Sequence, residues 1–399
     1  METPSPDARL TAKMVALRRD LHQHPELSWD EHRTHDVICR ELEALGISHQ
    51  EHVAGTGVIA DLPGPPGVPI VALRADTDAL AIHEETGLPW ASTTPGVMHA
   101  CGHDGHTSML LGAAALLSRR TDLPAPVRLI WQPAEEKVEG ARALIAAGAL
   151  EDVGCIFGGH LDRHYPAGTL VVTRGAVNAS TDRFHVVIRG QDAHGARPHE
   201  SIDAIVVGAH LVTSLQTIVS RETDPAQPSV VTVGRFAAGT VHNAVAGVAD
   251  LEGTIRAQRP DVRAYLKRRV EGMALAVAAL HGATAEVTIE PGAPPLINDE
   301  TAFAHAHAAA VAVVGAQHVV PLATANMGGE DFADYLGLVP GCYIRFGARV
   351  PGEESFPAHS SRFDFDEAAM ASGAQWFVQV AQLAGSAMAA STRSGAATT

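Results

Sequence analysis

The segment Met98-His99-Ala100-Cys101-Gly102-His103-Asp104-Gly105-His106 brings three histidines, a cysteine and an aspartate into nine positions. Imidazole and thiolate together are the donors that late first-row divalent cations prefer. Gly102 and Gly105 let the backbone fold tightly around them. A thiolate between imidazoles is also a competent nucleophile. The motif therefore admits a metal-assisted or a covalent chemistry, and the rest of the chain decides between them.

Four further segments carry candidate groups at the ends of strand-like runs or in loops, where an open α/β sheet places its active site. Trp131-Gln132-Pro133-Ala134-Glu135-Glu136 ends an apolar run in adjacent carboxylates. Neighbouring side chains cannot point the same way, which suggests Glu136 as a metal ligand and Glu135 as a general base. Gly158-Gly159-His160 follows the apolar run from Cys155, and Ala358-His359-Ser360-Ser361 precedes Phe363-Asp364-Phe365-Asp366-Glu367. Leu73-Arg74-Ala75-Asp76-Thr77-Asp78 sets two carboxylates just past a strand, able to bind metal, orient a ligand histidine or cap a helix. Each segment alone also reads as a solvated helix N-terminus or a surface histidine. Their combination carries the weight.

The elements that must position these groups alternate. Leu10, Met14, Leu17 and Leu21 recur at helical spacing up to His24-Pro25, and a second helix spans about 31–45. Strands are expected near 58–60, 70–73, 127–131, 155–158 and 169–172, with helices at about 106–119 and 141–147 between them. This is the pattern of a mainly parallel α/β sheet. From about 178 to 292 the order becomes strand (183–189), helix (202–219), strand (229–236), strand (248–256), helix (261–280), strand (285–290). That β-α-β-β-α-β order is ferredoxin-like. The α/β pattern then resumes with a helix at 300–314, a short one after Glu330, a strand at 342–346 and a long final helix from Glu367. The expected division is 1–177 and 293–399 for the catalytic domain and 178–292 for the insertion. The small, polar tail from Ser391 to Thr399 is expected to be disordered.

At 399 residues two domains are the natural prior. The formal net charge of −16 and the absence of a Lys/Arg run argue against nucleic acid or an anionic membrane as partner. No apolar run reaches the length of a membrane span, and Met1 to Asp7 lacks the features of a signal peptide. The four cysteines, Cys39, Cys101, Cys155 and Cys342, are widely spaced, so a reducing cytoplasm is the default.

In combination these motifs resemble the M20 metallopeptidase family, in particular its amidohydrolase branch of hippurate hydrolases, N-acyl-amino-acid hydrolases and auxin-conjugate hydrolases. Arg18-Arg19-Asp20-Leu21-His22-Gln23-His24-Pro25-Glu26-Leu27-Ser28 opens the match. It continues through Ala72 to Asp76, Met98 to His106 and Gln132 to Glu136, then Ala193-His194-Gly195-Ala196-Arg197-Pro198-His199 and Leu215 to Glu222, to Gly329-Glu330-Asp331-Phe332 and His359 to Glu367. The resemblance implies two divalent ions, zinc or manganese with cobalt or nickel also admitted. Its ligands fall on Cys101, His103, Glu136, His160 and His359. Cys101 would bridge the ions, with His103 and His160 on one side and Glu136 and His359 on the other. Glu135 takes the position of the base and His194 that of a carbonyl-polarising histidine. Asn243 and Arg256 take positions that hold a substrate carboxylate. The insertion is implied to form a homodimer.

Two departures stand out. Leu161-Asp162-Arg163-His164 replaces an apolar-aromatic run and offers His164 as a competing ligand. Ala246-Gly247 replaces the family's Ile-Pro after Asn243, which is expected to loosen the turn. The resulting expectation is a cytoplasmic, metal-dependent amidohydrolase acting on N-acyl amino acids or similar small conjugates. The alternatives are a dipeptidase or N-acetyl-amino-acid deacetylase of the same family, a Cys101-dependent thiol hydrolase with His103 as base, and a non-enzymatic binding protein on the same fold.

Overall fold

Asp7 starts the first helix, Ala8–Gln23, its carboxylate accepting the Leu10 backbone N–H at 2.8 Å. The computed structural model describes residues 6–352 and 356–396 of the chain. These divide into two compact units: Met1–Gly175 with Ile297–Ala323 and Asp331–Thr399, and Ala176–Leu296 with Thr324–Glu330. Two particulars differ from the expected insertion of 178–292. The second unit is wider at both ends, and it also takes Thr324–Glu330, where the Asn178 amide donates to the Gly328 carbonyl.

The first unit is built on an eight-stranded sheet. Its order is His49–Val53, Gly57–Leu62, Val127–Gln132, Ile70–Asp76, Val153–Pro166, Gly341–Arg349, Leu170–Val171, Val319–Val320. The four central strands run parallel, and antiparallel pairings flank them. Helix His103–Leu117 is buried at all 15 positions, as an all-round apolar helix must be. It packs against Ala8–Gln23 and against the last helix, Ala369–Ala396. That last helix corrects one expectation, because Ser391 to Ala396 is helical; residues 397–399 of the expected tail lie outside the described residues.

Sequence reading also places a strand end before His160. The structure instead has one strand, Val153–Pro166, running through it, with His160 paired to Arg345. The strand His49–Val53 went unexpected because its residues are mostly polar.

The second unit is an antiparallel four-stranded sheet in the order Ser229–Ala238, Val248–Ala257, Asp182–Arg189, Thr284–Pro291, with helices Ala204–Thr217 and Pro260–Leu280. With the strands numbered along the chain this is 4-1-3-2 read from the other edge, the arrangement of a split βαβ motif. Val207, Leu211 and Leu215 of the first helix pack with Phe184, Val186 and Ile188 of the central strand in one core. With its continuation Ile218–Glu222, that helix reaches 19 residues at a mean hydropathy of 1.2. By length and composition it could cross a membrane, which revises the reading that no such run exists. Its alternation of buried and exposed positions is that of a helix lying on a sheet.

Candidate metal centre

Gly102 opens helix His103–Leu117 at φ +91°, a conformation that L side chains rarely adopt. Gly105 lies under Phe365 and Leu161, whose carbons would stand 2.6 and 2.7 Å from an added Cβ. The two glycines thus set Cys101 and His103 at the helix entrance and let the helix approach its neighbours closely.

Within the first unit the side chains gather into two trios that share Cys101. In each of Cys101/His103/His160 and Cys101/Glu136/His359, the potential ligand atoms lie within 4.8 Å of one another. The chain stitches them together locally. The backbone N–H of His359 donates to the Ala100 carbonyl at 2.8 Å, with His359 held at φ +69°. Asp78 accepts from the backbone N–H groups of Glu135 (3.1 Å) and Glu136 (3.0 Å), from the Ser28 hydroxyl (2.6 Å) and from His103 Nδ1 (3.2 Å). One carboxylate therefore fixes both glutamates and a histidine. Burial works against its charge, but these donors hold its carboxyl below the usual range. Just before the glutamates, Ala134 adopts φ +53°, anchored by its N–H to Glu31 at 2.9 Å.

The tautomers decide which nitrogens can serve as ligands, because a carbonyl oxygen can only accept. His103 Nδ1 lies 2.9 Å from the Asp78 carbonyl and must donate to it. That leaves His103 Nε2 as the lone-pair atom of the neutral ring. It is buried without a hydrogen-bond partner, 3.8 Å from Asp76 Oδ1 and 3.9 Å from both Glu135 Oε2 and Glu136 Oε1. Glu136 Oε1 is likewise buried without a hydrogen bond, 3.4 Å from His359 Nε2. A buried lone pair facing carboxylate oxygens calls for a cation between them. Burial alone would lower His103, but Asp76, Cys101 and Asp78 raise it well above an ordinary histidine. The Glu136 carboxylate 3.4 Å away raises His359.

His160 Nδ1 donates to the Leu161 carbonyl at 2.7 Å, so its Nε2 is the acceptor that faces the Cys101 sulfur at 3.2 Å. Burial, then the neighbouring His106 and Arg345, push His160 well below the ordinary range and keep it neutral. His106, by contrast, has no nitrogen to spare: Nδ1 meets Asp76 Oδ1 at 2.5 Å and Nε2 accepts the Leu161 N–H at 2.9 Å. Burial pushes His99 down to about 4. His164, the expected competitor, bonds to Asp162 with its side chain 86 % exposed.

Burial, with Glu136 next, also pushes the Cys101 thiol well above the ordinary value. A protonated, buried thiol is a poor nucleophile. The imidazole nitrogens, the sulfur shared by both trios and the Glu136 carboxylate are donor types that first-row divalent ions accept.

Behind the trios lies a charge network that sequence reading missed. Buried Arg74 donates to Asp76 (2.6 Å), Gln132 (2.8 Å) and Asp331 (2.8 Å), and Asp331 also accepts from the Gln132 amide and the Ala141 N–H. Arg18 is equally buried and bonds Asp104, Asp364 and Glu367, tying the first helix to the metal motif and to the segment after His359. The motifs Arg18-Arg19 and Glu330-Asp331 were visible, but only as resemblance without a role.

The remaining expected residues, His194, Asn243 and Arg256, belong to the second unit. Ala193–His194 pairs with Ala244–Val245 in a short ribbon, and the Asn243 carbonyl accepts the Gly195 N–H at 2.8 Å, so His194 and Asn243 are neighbours. The Ala196 N–H donates to His194 Nδ1 at 3.0 Å, which leaves a hydrogen on Nε2 of the neutral ring. Arg256 donates to the Met327 carbonyl at 3.0 Å. The turn expected to be loose is held at both carbonyls, Ala246 by the Ala204 N–H and Gly247 by the Gly190 N–H.

Comparison with known proteins agrees with this architecture. Residues 72–383 match the model of peptidase family M20/M25/M40. The chain is 41 % identical over 377 residues to the N-acetylcysteine deacetylase of Bacillus subtilis, covering 94 % of this chain and 97 % of that one. It is also 41 % identical to an N-acyl-L-amino acid amidohydrolase of Geobacillus stearothermophilus, over 71 % of this chain and 78 % of the relative. A solved Bacillus subtilis structure, described as a dinuclear metal-binding peptidase of the M20 family, superposes with a TM-score of 0.84 at 37 % identity, over 95 % and 99 % of the two chains. By the extent of these matches the chain belongs to peptidase family M20/M25/M40 and is a hydrolase of that family.

Proposed function

We propose that this protein is a binuclear metal-dependent amidohydrolase that cleaves the amide of N-acyl amino acids or similar small conjugates. The observation that carries the reading is the pair of trios meeting at Cys101 with Glu135 beside them. The relatives named as a deacetylase and an N-acyl-amino-acid amidohydrolase support the substrate class. Cys101, His103, His160, Glu136 and His359 would hold the ions, which when bound polarise a carbonyl oxygen and make water nucleophilic at neutral pH.

The chain's own groups do the rest. Glu135 accepts the proton of the attacking water and returns it to the nitrogen of the leaving amine. Asp78 holds the Glu135 and Glu136 backbone so that the two carboxylates keep separate tasks. His194, with hydrogen on Nε2, donates to the carbonyl oxygen as negative charge develops there. Asn243 and Arg256 would engage the substrate carboxylate. The free cysteines, all buried, support a reducing cytoplasmic setting.

The direct test is hydrolysis of a panel of N-acyl amino acids, dipeptides and amides lacking a carboxylate, by metal-stripped protein reloaded with zinc, manganese, cobalt or nickel. N-acyl amino acids are expected to turn over fastest. Preference for dipeptides would move the assignment to a dipeptidase, and preference for amides without a carboxylate would remove the roles of Asn243 and Arg256.

His194 is proposed to act on the partner subunit of a homodimer built through the second unit. Helix Ala204–Thr217 exposes Ile205 and Val206, and the edge strand Ser229–Ala238 exposes Phe236; these offer an apolar face and an open ladder to a second copy. His194→Ala is expected to keep its metals and lose about 10²–10³ in turnover, the usual effect of one oxyanion donor. Mixing it with Glu135→Gln under subunit exchange should regain activity, because each heterodimer then holds one intact site. A monomeric active enzyme, or no recovery in proven heterodimers, overturns the arrangement.

A further inference from the structure

A second cluster of metal-type donors lies at the edge of the sheet in the first unit and shares no residue with the trios at Cys101. His35 and Cys39 stand one turn apart on helix His32–Ala44 and therefore share a face. His49, Glu51 and His52 come from the edge strand His49–Val53. The register of that strand slips between Gln50 and Val53, and His52 adopts φ +55°. Glu51 and His52 thus stand in a bulge rather than a regular ladder. The ligand atoms of Cys39, His49 and Glu51 lie within 4.8 Å of one another, as do those of His35, Glu51 and His52.

The hydrogen bonds again fix the tautomers. His49 Nδ1 donates to the Ile47 carbonyl at 3.1 Å, so the lone pair of the neutral ring is on Nε2. The His49 side chain is 8 % exposed, and Nε2 is buried without a hydrogen bond, 3.5 Å from Glu51 Oε1. A lone pair set against a carboxylate oxygen gains nothing unless a positive charge lies between them. His52 Nδ1 donates to the Gly55 carbonyl at 3.2 Å, leaving its Nε2 free in the same way. A carbonyl acceptor on one ring nitrogen is the arrangement that orients imidazoles toward metals. His35 completes the surround. Its Nε2 accepts the His52 N–H at 3.2 Å and lies 3.7 Å from the Cys39 sulfur, and its ring stacks on His52 at 4.1 Å.

We propose that Cys39, His49 and Glu51 form a further divalent-metal site of zinc class, with an open position on the solvent side beside His52. Thiolate, imidazole and carboxylate are all established zinc donors, and three protein ligands with an open position make a complete coordination set. On binding, the Cys39–metal bond replaces the S–H bond and the thiol proton leaves to solvent. His35 positions the sulfur and His52 rather than binding directly. Glu51 and His52 are exposed, which gives the ion a path of entry. Such an ion would cross-link helix His32–Ala44 to the edge strand.

The test is zinc binding to full-length apoprotein by equilibrium dialysis with elemental analysis, comparing wild type with Glu51→Ala and with His49→Ala/Glu51→Ala. Wild type is expected to retain one more zinc per chain than either variant, with affinity at that position weakened at least about 100-fold in Glu51→Ala. The difference between wild type and each variant does not depend on how many ions the Cys101 centre takes, so this proposal fails or stands apart from that one. Because Glu51 is exposed, its variant should fold and retain hydrolysis. In the cobalt-loaded protein, wild type minus Cys39→Ser should show a thiolate-to-cobalt charge-transfer band, the band from Cys101 cancelling. Equal zinc content in wild type and both variants, or a difference spectrum without that band, overturns the proposal and leaves His49 and Glu51 as an ion pair.

Discussion

Stripping the protein of divalent metal should reduce hydrolysis at least about a thousandfold, because the ions are asked to supply several kcal/mol of transition-state stabilisation and each 1.36 kcal/mol is tenfold in rate. Restoring zinc or manganese should recover it. The buried, unpartnered His103 Nε2 and Glu136 Oε1 make this expectation specific. His103 Nε2 faces Asp76, Glu135 and Glu136, and Glu136 Oε1 faces His359, with no hydrogen bond to either atom. Residual activity in the stripped protein should not increase on raising the pH toward the cysteine range unless Cys101 itself attacks. Full turnover by demonstrably metal-free protein would return the thiol mechanism to favour.

Glu135→Gln should lower turnover by about 10²–10⁴, the contribution of a positioned general base. The amide is nearly isosteric and keeps its backbone bond to Asp78, so the folded site and its metal content should remain. Glu136→Gln should behave differently. Its Oε1 belongs to the trio with Cys101 and His359, and losing the charge should empty that position. Metal analysis beside kinetics separates the two. Equal metal loss in both variants, or an active Glu135→Gln, would show that the roles of the adjacent glutamates had been misassigned.

Much of this architecture was legible because the decisive residues are local. Cys101 and His103 lie two positions apart at a helix entrance, and Glu135-Glu136 comes within four residues of a strand end, so the motif and its geometry nearly coincide. The β-α-β-β-α-β order of the second unit was equally plain, since its helices and strands keep their own periods. What escaped was set by contacts distant in sequence. Arg18 lies on a helix that reads as amphipathic, yet it is buried because Asp104, Asp364 and Glu367 converge on it from elsewhere in the chain. Arg74 and Asp331 are 257 positions apart and neutralise one another only once the sheet and the short helix Phe332–Leu336 are in place. The strand expected at 155–158 runs on through His160 to Pro166, past the apolar run that marks it in the sequence. Pairing with Gly341–Arg349 extends it, burying Arg163 while His164 turns outward. Polar His49–Val53 gave no strand signal at all, and it is there that the second set of metal-type donors lies.

The central claim is that two ions meet at Cys101, one on His103 and His160 and the other on Glu136 and His359. Anomalous diffraction from crystals of the zinc-loaded protein tests it most directly. The account predicts two anomalous peaks flanking the Cys101 sulfur, one beside each trio, both coordinated by the nitrogens and carboxylate named above. A single peak there, or zinc bound without Cys101 as a shared ligand, would contradict it.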